Sequence, residues 1–212
     1  MKNITNKLNC FTIGHSTHEV DGFINLLKLN GIEWLIDVRS IPYSQHNPQY
    51  NKENLKTDLE KSHISYVHMG NLLGARYNNP NLYFDDKEMV DFKKVREGSS
   101  FKHGVDKIVN GASKEFNICL MCSEKDPFDC HRFVLISYAL EKKGVTVKHI
   151  LENGDIITNQ VLEERLLSRY RIEYGKATLF ETGKTREEAI EEGYEKRNRD
   201  IGYVKADIAS VS

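Results

Sequence analysis

The sequence holds only four cysteines and four prolines in 212 residues, and it has no apolar run approaching the roughly 18 residues of a membrane span. Cys10, Cys119, Cys122 and Cys130 are too few to staple a chain of this length, so they read as reduced thiols, core residues or ligands. The missing apolar run argues against a membrane-spanning helix, and the polar stretch from Met1 to Cys10 does not match a secretory signal. The expected compartment is therefore the cytoplasm. An excess of one charge is missing too. With 30 basic and 31 acidic residues the net charge is −1, which disfavours binding by blanket phosphate neutralisation but leaves room for a local basic pocket.

What is present is an alternation of short apolar runs with amphipathic stretches, the pattern of a parallel sheet flanked by helices. Runs at 10–13, 34–36, 64–68, 116–121 and 145–150 predict five strands. Helices are expected after Ser16 or Thr17 as cap, over 52–62, 86–97, 101–110 and 132–143, and from about Asn159. Gly31 and Gly144 are placed to stop two of them. The expected fold is an α/β domain over 1–170, with an open, mostly parallel, Rossmann-like five-stranded sheet and helices on both faces. Residues 171–212 read as a charged helical extension outside the core, solvated or engaging a protein partner, because 185–200 carry many charges and few apolar anchors.

Three of the strands end in polar residues unsuited to a core: Gly14-His15-Ser16, Asp37-Val38-Arg39-Ser40 and Cys122-Ser123-Glu124. The carboxyl ends of parallel strands share one edge, where ligands bind, so these segments are expected to converge. The bland reading makes Asp37 and Arg39 a structural ion pair and Ser16 a helix cap. Cys130-His131-Arg132 falls at a helix start, where the free amides favour a thiolate or a bound anion, with Asp129 as a cap. Its bland reading is a buried Cys beside an Arg that pairs with Asp129 or Glu124.

Glu124 is the most credible general acid or base of this loop. Cys119 and Cys122 have C-x-x-C spacing, but the first lies inside a strand, where residues three apart face opposite ways. Neither Cys122 nor Cys130 has an Arg where a cysteine-phosphatase loop needs one. Tyr43, Tyr50, Tyr66, Tyr77, Tyr83 and Phe84, near Arg76 and His46, suit either base stacking or half-buried packing. Packing is the preferred reading.

Taken in order, Thr12-Ile13-Gly14-His15-Ser16, Asp37-Val38-Arg39 with Pro42 and Ser44, Leu73-Gly74, Cys122-x-Glu124-x-x-Pro127-x-x-Cys130-His131-Arg132 and Val147-Lys148-His149-Ile150 resemble a family known as domain of unknown function number 488. The resemblance spans roughly residues 10 to 165 and implies an α/β fold with the motif residues in one pocket. The family's usual Leu-Gly-Gly after the third strand is Leu73-Gly74-Ala75 here, which implies strain if position 75 needs a positive φ. Asp-Val-Arg after a strand is also similar to part of a rhodanese domain, but Cys130 abuts His131 and Arg132 instead of opening a cradle, so sulfur transfer ranks third.

The function expected from these residues is an enzyme acting on a phosphate-bearing substrate, a nucleotide or a nucleic-acid end. Cys130, His15 and Glu124 are the candidate catalytic residues. Ser16, Asp37, Arg39, Cys122, His131 and Arg132 are the candidate anion- and substrate-binding residues. The alternative is a binding or sensor module without turnover. No cofactor is called for; zinc or iron held by Cys122, Cys130, His131 and a histidine such as His15 is the weaker alternative.

Overall fold

The computed structural model describes residues 8–86, 89–175 and 183–204. Its chain runs β1 (Asn9–Gly14), α1 (Val20–Leu29), β2 (Trp34–Asp37), α2 (Lys52–Lys61), β3 (Ser65–His68), a single turn α3 (Gly70–Leu73), α4 (Phe92–Glu97) and α5 (Ser99–Ser113). There follow β4 (Ile118–Cys122), a π-helical segment (Arg132–Ser137) continuing into α6 (Tyr138–Lys142), β5 (Thr146–Ile150), β6 (Ile156–Thr158), α7 (Asn159–Tyr170) and α8 (Arg186–Ile201). The sheet order is β3-β2-β4-β1-β5-β6, parallel except for β6. The expected sheet therefore gains a sixth, antiparallel strand. Three residues behind a Gly154 turn are too few for an apolar period to register.

The central strand shows why this sheet forms. All five residues of β4 are buried, as a parallel strand covered on both faces requires. Ile118, Leu120 and Cys122 join the core beneath α4, α5, α6 and α8, whereas Cys119 and Met121 join the opposite core with Phe23 and Leu27 of α1 and Leu55 and Leu59 of α2. Cys119 and Cys122 thus lie on opposite faces, and their C-x-x-C spacing is incidental.

Two expected elements differ. Residues 86–97 are not one helix. Phe84 N–H donates to the Met89 carbonyl at 2.9 Å, Tyr83 bridges Val90, and α4 begins only after Asp91, whose carboxylate accepts from the Lys93 and Lys94 amides. Residues 87 and 88 lie outside the described residues. The larger correction concerns the C-terminal extension. Helix α8 lies against α7, and Ala189, Ile190 and Tyr194 belong to the main core. Arg197 stacks on the Phe128 ring at 4.5 Å, donates to the Phe128 carbonyl at 3.0 Å and pairs with Asp129. A Thr185–Glu188 capping box fixes the helix start. This part of the extension is core, not solvated periphery; 176–182 and 205–212 fall outside the described residues. Among the described residues no helix is long and apolar enough to cross a membrane.

His149 of β5 is fully buried, 2.8 Å from Thr12 Oγ1, and desolvation followed by the Arg132 charge brings its pKa down to about 3. The folded state keeps the ring neutral while the unfolded chain protonates it near pH 6.5. Stability from this group is thus complete above that pH and is lost as pH falls toward 3. We expect a decline of up to about 1.4 kcal/mol per pH unit below 6.5, measurable by urea unfolding at several pH values and reduced in His149→Gln. A His149 ring that titrates near 6.5 in the folded protein would contradict it.

Candidate functional site

The order β2-β4-β1 puts the carboxyl ends of those three strands side by side, with Gly14 beside Cys122 and Asp37 beside Met121. The ladder continues past the strands: His15 N–H donates to the Cys122 carbonyl and Ser16 N–H to the Ser123 carbonyl, both at 2.9 Å. The three polar tips therefore converge.

One half of the convergence is an ion-pair network. Asp37, fully buried, accepts from Arg39 Nε at 2.9 Å, Arg39 Nη2 at 2.6 Å and the Tyr66 hydroxyl at 2.7 Å. Arg39 also donates to the Tyr50 carbonyl at 2.8 Å, and its Nη1 meets His15 Nε2 at 3.2 Å. Since the guanidinium only donates, His15 Nε2 accepts, and Nδ1–H donates to the Ser16 carbonyl at 2.9 Å. His15 is thereby fixed as a neutral ring, stacked on Tyr50 at 4.1 Å. Desolvation, then the charge of Arg39, brings its pKa down to about 4. Both ring nitrogens are committed, so His15 positions Arg39 and has no free nitrogen for proton transfer. The bland reading of Asp37 and Arg39 holds for most of the guanidinium; of its five N–H groups one, on Nη1, has no hydrogen-bond partner among the described residues.

The other half gathers sulfur, imidazole and carboxylate. Cys122 Sγ lies 3.6 Å and Cys130 Sγ 3.8 Å from His131 Nδ1, and Cys130 Sγ is 2.9 Å from Glu124 Oε2. Donor atoms of all four residues fall within 4.8 Å of one another. Burial alone would suppress ionisation of Cys130, but the hydrogen bond with Cys122 and the charges of Arg132 and His131 outweigh it and hold the thiol well below its ordinary pKa. Burial, with the Cys130 charge behind it, raises Glu124 to about 7. Burial also pushes the Cys122 thiol well up. For His131 the Cys130 charge overcomes burial and raises the ring.

Arg132 departs from its expected role. It is fully buried and directed at two backbone carbonyls, Glu124 at 2.6 Å and Lys125 at 3.1 Å, and it does not line the cavity beside this edge. Its amide donates to Cys130 Sγ at 3.4 Å. Among the described residues no carboxylate pairs with it. Arg132 therefore clamps the 123–125 loop. The helix it opens starts as a π turn tied by Ser137 Oγ to the Arg132 carbonyl at 2.7 Å, a feature often found at functional sites. Asp129 is not its cap; His131 occupies that position without a side-chain bond. Ser16 does not cap α1 either. It takes a left-handed φ of 46°, and the helix starts after Glu19.

A cavity of about 40 Å³ opens beside this edge, lined by Arg39, Ser40, Arg76, Cys122, His131 and Tyr203 among others. Cys130 is not in its wall and is 1% exposed, so of the two cysteines only Cys122 lines the cavity. Ser40 belongs to the expected polar tip of β2 and Arg76 to the loop weighed for base stacking, but neither was given a binding role, and Tyr203 was not singled out at all. Ser40 Oγ accepts from the Ala75 and Arg76 amides at 3.0 and 3.1 Å, which aims Arg76 over the Tyr203 ring at 4.6 Å. Tyr203 follows α8, so the extension that looked peripheral contributes to the wall. Ala75 is unstrained, since positive φ outside glycine occurs among the described residues only at Ser16, His63, Glu115 and Arg171. The glycine this turn requires is Gly74, where a Cβ would lie 2.4 Å from both Ser40 Oγ and the Gly70 carbonyl. The loop aromatics mostly pack: Tyr50 is buried, Tyr66 bonds Asp37, and the Tyr83 hydroxyl donates to the Tyr77 carbonyl at 2.6 Å.

No curated protein and no solved structure matches the chain. One family does, the Domain of unknown function DUF488, over residues 19–139. That stretch takes in Asp37-Val38-Arg39, Leu73-Gly74 and Cys122 through Arg132, while Gly14-His15-Ser16 and the β5 segment lie beyond its limits. With more than half of its length matched, and with the family's Cys-x-Glu and Cys-His-Arg segments folded into one cluster at the sheet edge, the chain belongs to the DUF488 family.

Proposed function

We propose that the protein is an enzyme acting on a phosphate-bearing substrate, a nucleotide or a nucleic-acid end, whose phosphate enters the cavity at the carboxyl edge of the sheet. The observation that carries this reading is the composition of the cavity wall, with Arg39 and Arg76 beside Cys122 and His131. Arg76 and the remaining N–H of Arg39 are the anion contacts, and the Cys122–Glu124–Cys130–His131 cluster is the reacting end. At about 40 Å³ the cavity is far smaller than a site that encloses a whole ligand, which runs to roughly 300–1,000 Å³. A phosphate-sized group is what fits, with the remainder of the substrate outside.

Calorimetry with inorganic phosphate and with a nucleoside 5′-monophosphate tests this reading. Wild-type protein should bind both, and Arg76→Ala should weaken binding by about tenfold or more, with Arg76→Lys in between. No heat with either ligand, or equal affinity in Arg76→Ala, would overturn it. A binding or sensor module without turnover is the second reading, favoured by the burial of Cys130 away from the cavity. A 5′-phosphorylated oligonucleotide that binds but is recovered unchanged in mass would select that reading.

A further inference from the structure

We propose that Cys122, Glu124, Cys130 and His131 form a binding site for one divalent, sulfur-seeking metal ion, zinc in the first instance. The donor set is two sulfurs, one imidazole nitrogen and one carboxylate, drawn from the end of β4 and the loop leading to the π-helical segment. Zinc with bonds of about 2.3 Å to sulfur and 2.0–2.1 Å to nitrogen in a tetrahedron sets its sulfur and nitrogen ligands about 3.6 Å apart. The two sulfur-to-Nδ1 separations are 3.6 and 3.8 Å. This agreement does not depend on the anion contacts of Arg39 and Arg76.

Electrostatics supplies a second, independent observation. Arg132 is a fully buried guanidinium with two backbone carbonyls and, among the described residues, no carboxylate partner. Such a charge needs a nearby counter-charge. Two thiolates and a carboxylate around a divalent ion carry one net negative charge, the complement of Arg132, whose amide already touches Cys130 Sγ. The outer shell is also in place. His131 Nε2 is buried and has no hydrogen-bond partner among the described residues, and the Val38 backbone interacts with the ring, so a ligating ring has a main-chain group near it for its remaining N–H. The Arg132 clamp on the Glu124 and Lys125 carbonyls fixes the stretch that presents the carboxylate. Thiolate with imidazole selects zinc or iron over magnesium or calcium. Cys122 and His131 also line the cavity, which gives the ion a route of entry. The ligand set differs from the one the sequence suggested. Glu124 stands where His15 was considered, because His15 is held by Arg39 and Ser16.

The test is a titration of full-length, untagged protein, stripped by a chelator under reducing conditions, with Co²⁺ and then Zn²⁺. One equivalent of cobalt should give the intense visible absorption of a tetrahedral ion together with sulfur-to-cobalt charge transfer, and zinc should displace it. Cys122→Ser and Cys130→Ser should lose charge-transfer intensity and about tenfold or more in affinity. Cys119→Ala, on the opposite face of the sheet, should retain both. Glu124→Gln, which keeps side-chain size, should retain the sulfur band with weaker affinity, and it carries the test if a cysteine variant does not fold. Folded wild-type protein that takes up no ion, or cobalt with an octahedral spectrum indifferent to Cys122→Ser, would overturn the proposal. Metal uptake is read without phosphate, so the loss of phosphate binding in Arg76→Ala bears on the anion reading alone.

Discussion

Asp37→Ala is expected to destabilise the protein by about 3–5 kcal/mol, the usual cost of removing one partner from a buried ion pair. Asp37 is fully buried and accepts three side-chain hydrogen bonds, two from Arg39 and one from Tyr66. Without it the Arg39 guanidinium, 5% exposed, would keep the Tyr50 carbonyl and His15 but no negative charge. Burial alone would disfavour the charged guanidinium, and it is the Asp37 carboxylate that reverses this. Asp37→Asn separates charge from shape. It keeps an oxygen acceptor and the side-chain volume, so if the charge is what matters its cost should approach that of alanine. Urea unfolding followed by circular dichroism reads both, and a loss below about 1 kcal/mol in Asp37→Ala would show that the pair is dispensable. Phosphate affinity should fall as well, because Arg39 would no longer be held in the cavity wall.

The same pair shows which parts of the site were legible in the sequence. Apolar strands that end in Asp37, Gly14 and Cys122 announce a sheet edge, since burial on both faces forces the apolar runs and parallel topology forces their ends together. Residue roles depend on side-chain direction, which a strand pattern leaves open once the strand ends. Arg132 looked like an anion clamp because it opens a helix, yet the loop passing over Gly14 places two carbonyls within its reach first. Arg76 was legible only as a basic residue among loop aromatics, and Tyr203 not at all, because their proximity is created by a Ser40 hydrogen bond and by the path of α8.

The helicity of α8 was legible, but its place in the core was hidden by its composition. Ala189, Ile190 and Tyr194 make a narrow stripe in sixteen residues, and two further buried positions, Arg197 and Asn198, are polar. A polarity count takes those two for surface. In the structure Asn198 accepts from the Phe92 amide at 2.8 Å and donates to the Val90 carbonyl at 3.0 Å, so it completes the backbone bonding at the start of α4. Buried polar residues that satisfy another element's backbone cannot be separated from solvated ones before that element is placed.

Gly14→Ala is the second substitution with a large expected effect, and it reports on the loop that supplies Glu124. A Cβ at this position would lie 1.9 Å from the Glu124 carbonyl oxygen and 2.9 Å from its carbon. Both are backbone atoms, so no side-chain rotation relieves the overlap. Either β1 or the 123–125 loop must move. The loop is bonded to His15 and Ser16 on one side and to Arg132 on the other, and Arg132 Nη2 would itself be 3.1 Å from the new methyl. Retreat of the loop would therefore lengthen several of those bonds together, and we expect a loss of about 3 kcal/mol or more in urea unfolding. Because Glu124 moves with its backbone, cobalt affinity should drop in the fraction that remains folded. Equal alanine and wild-type midpoints would mean that the loop can pass over β1 without close contact, and the clamp assigned to Arg132 would lose its structural basis.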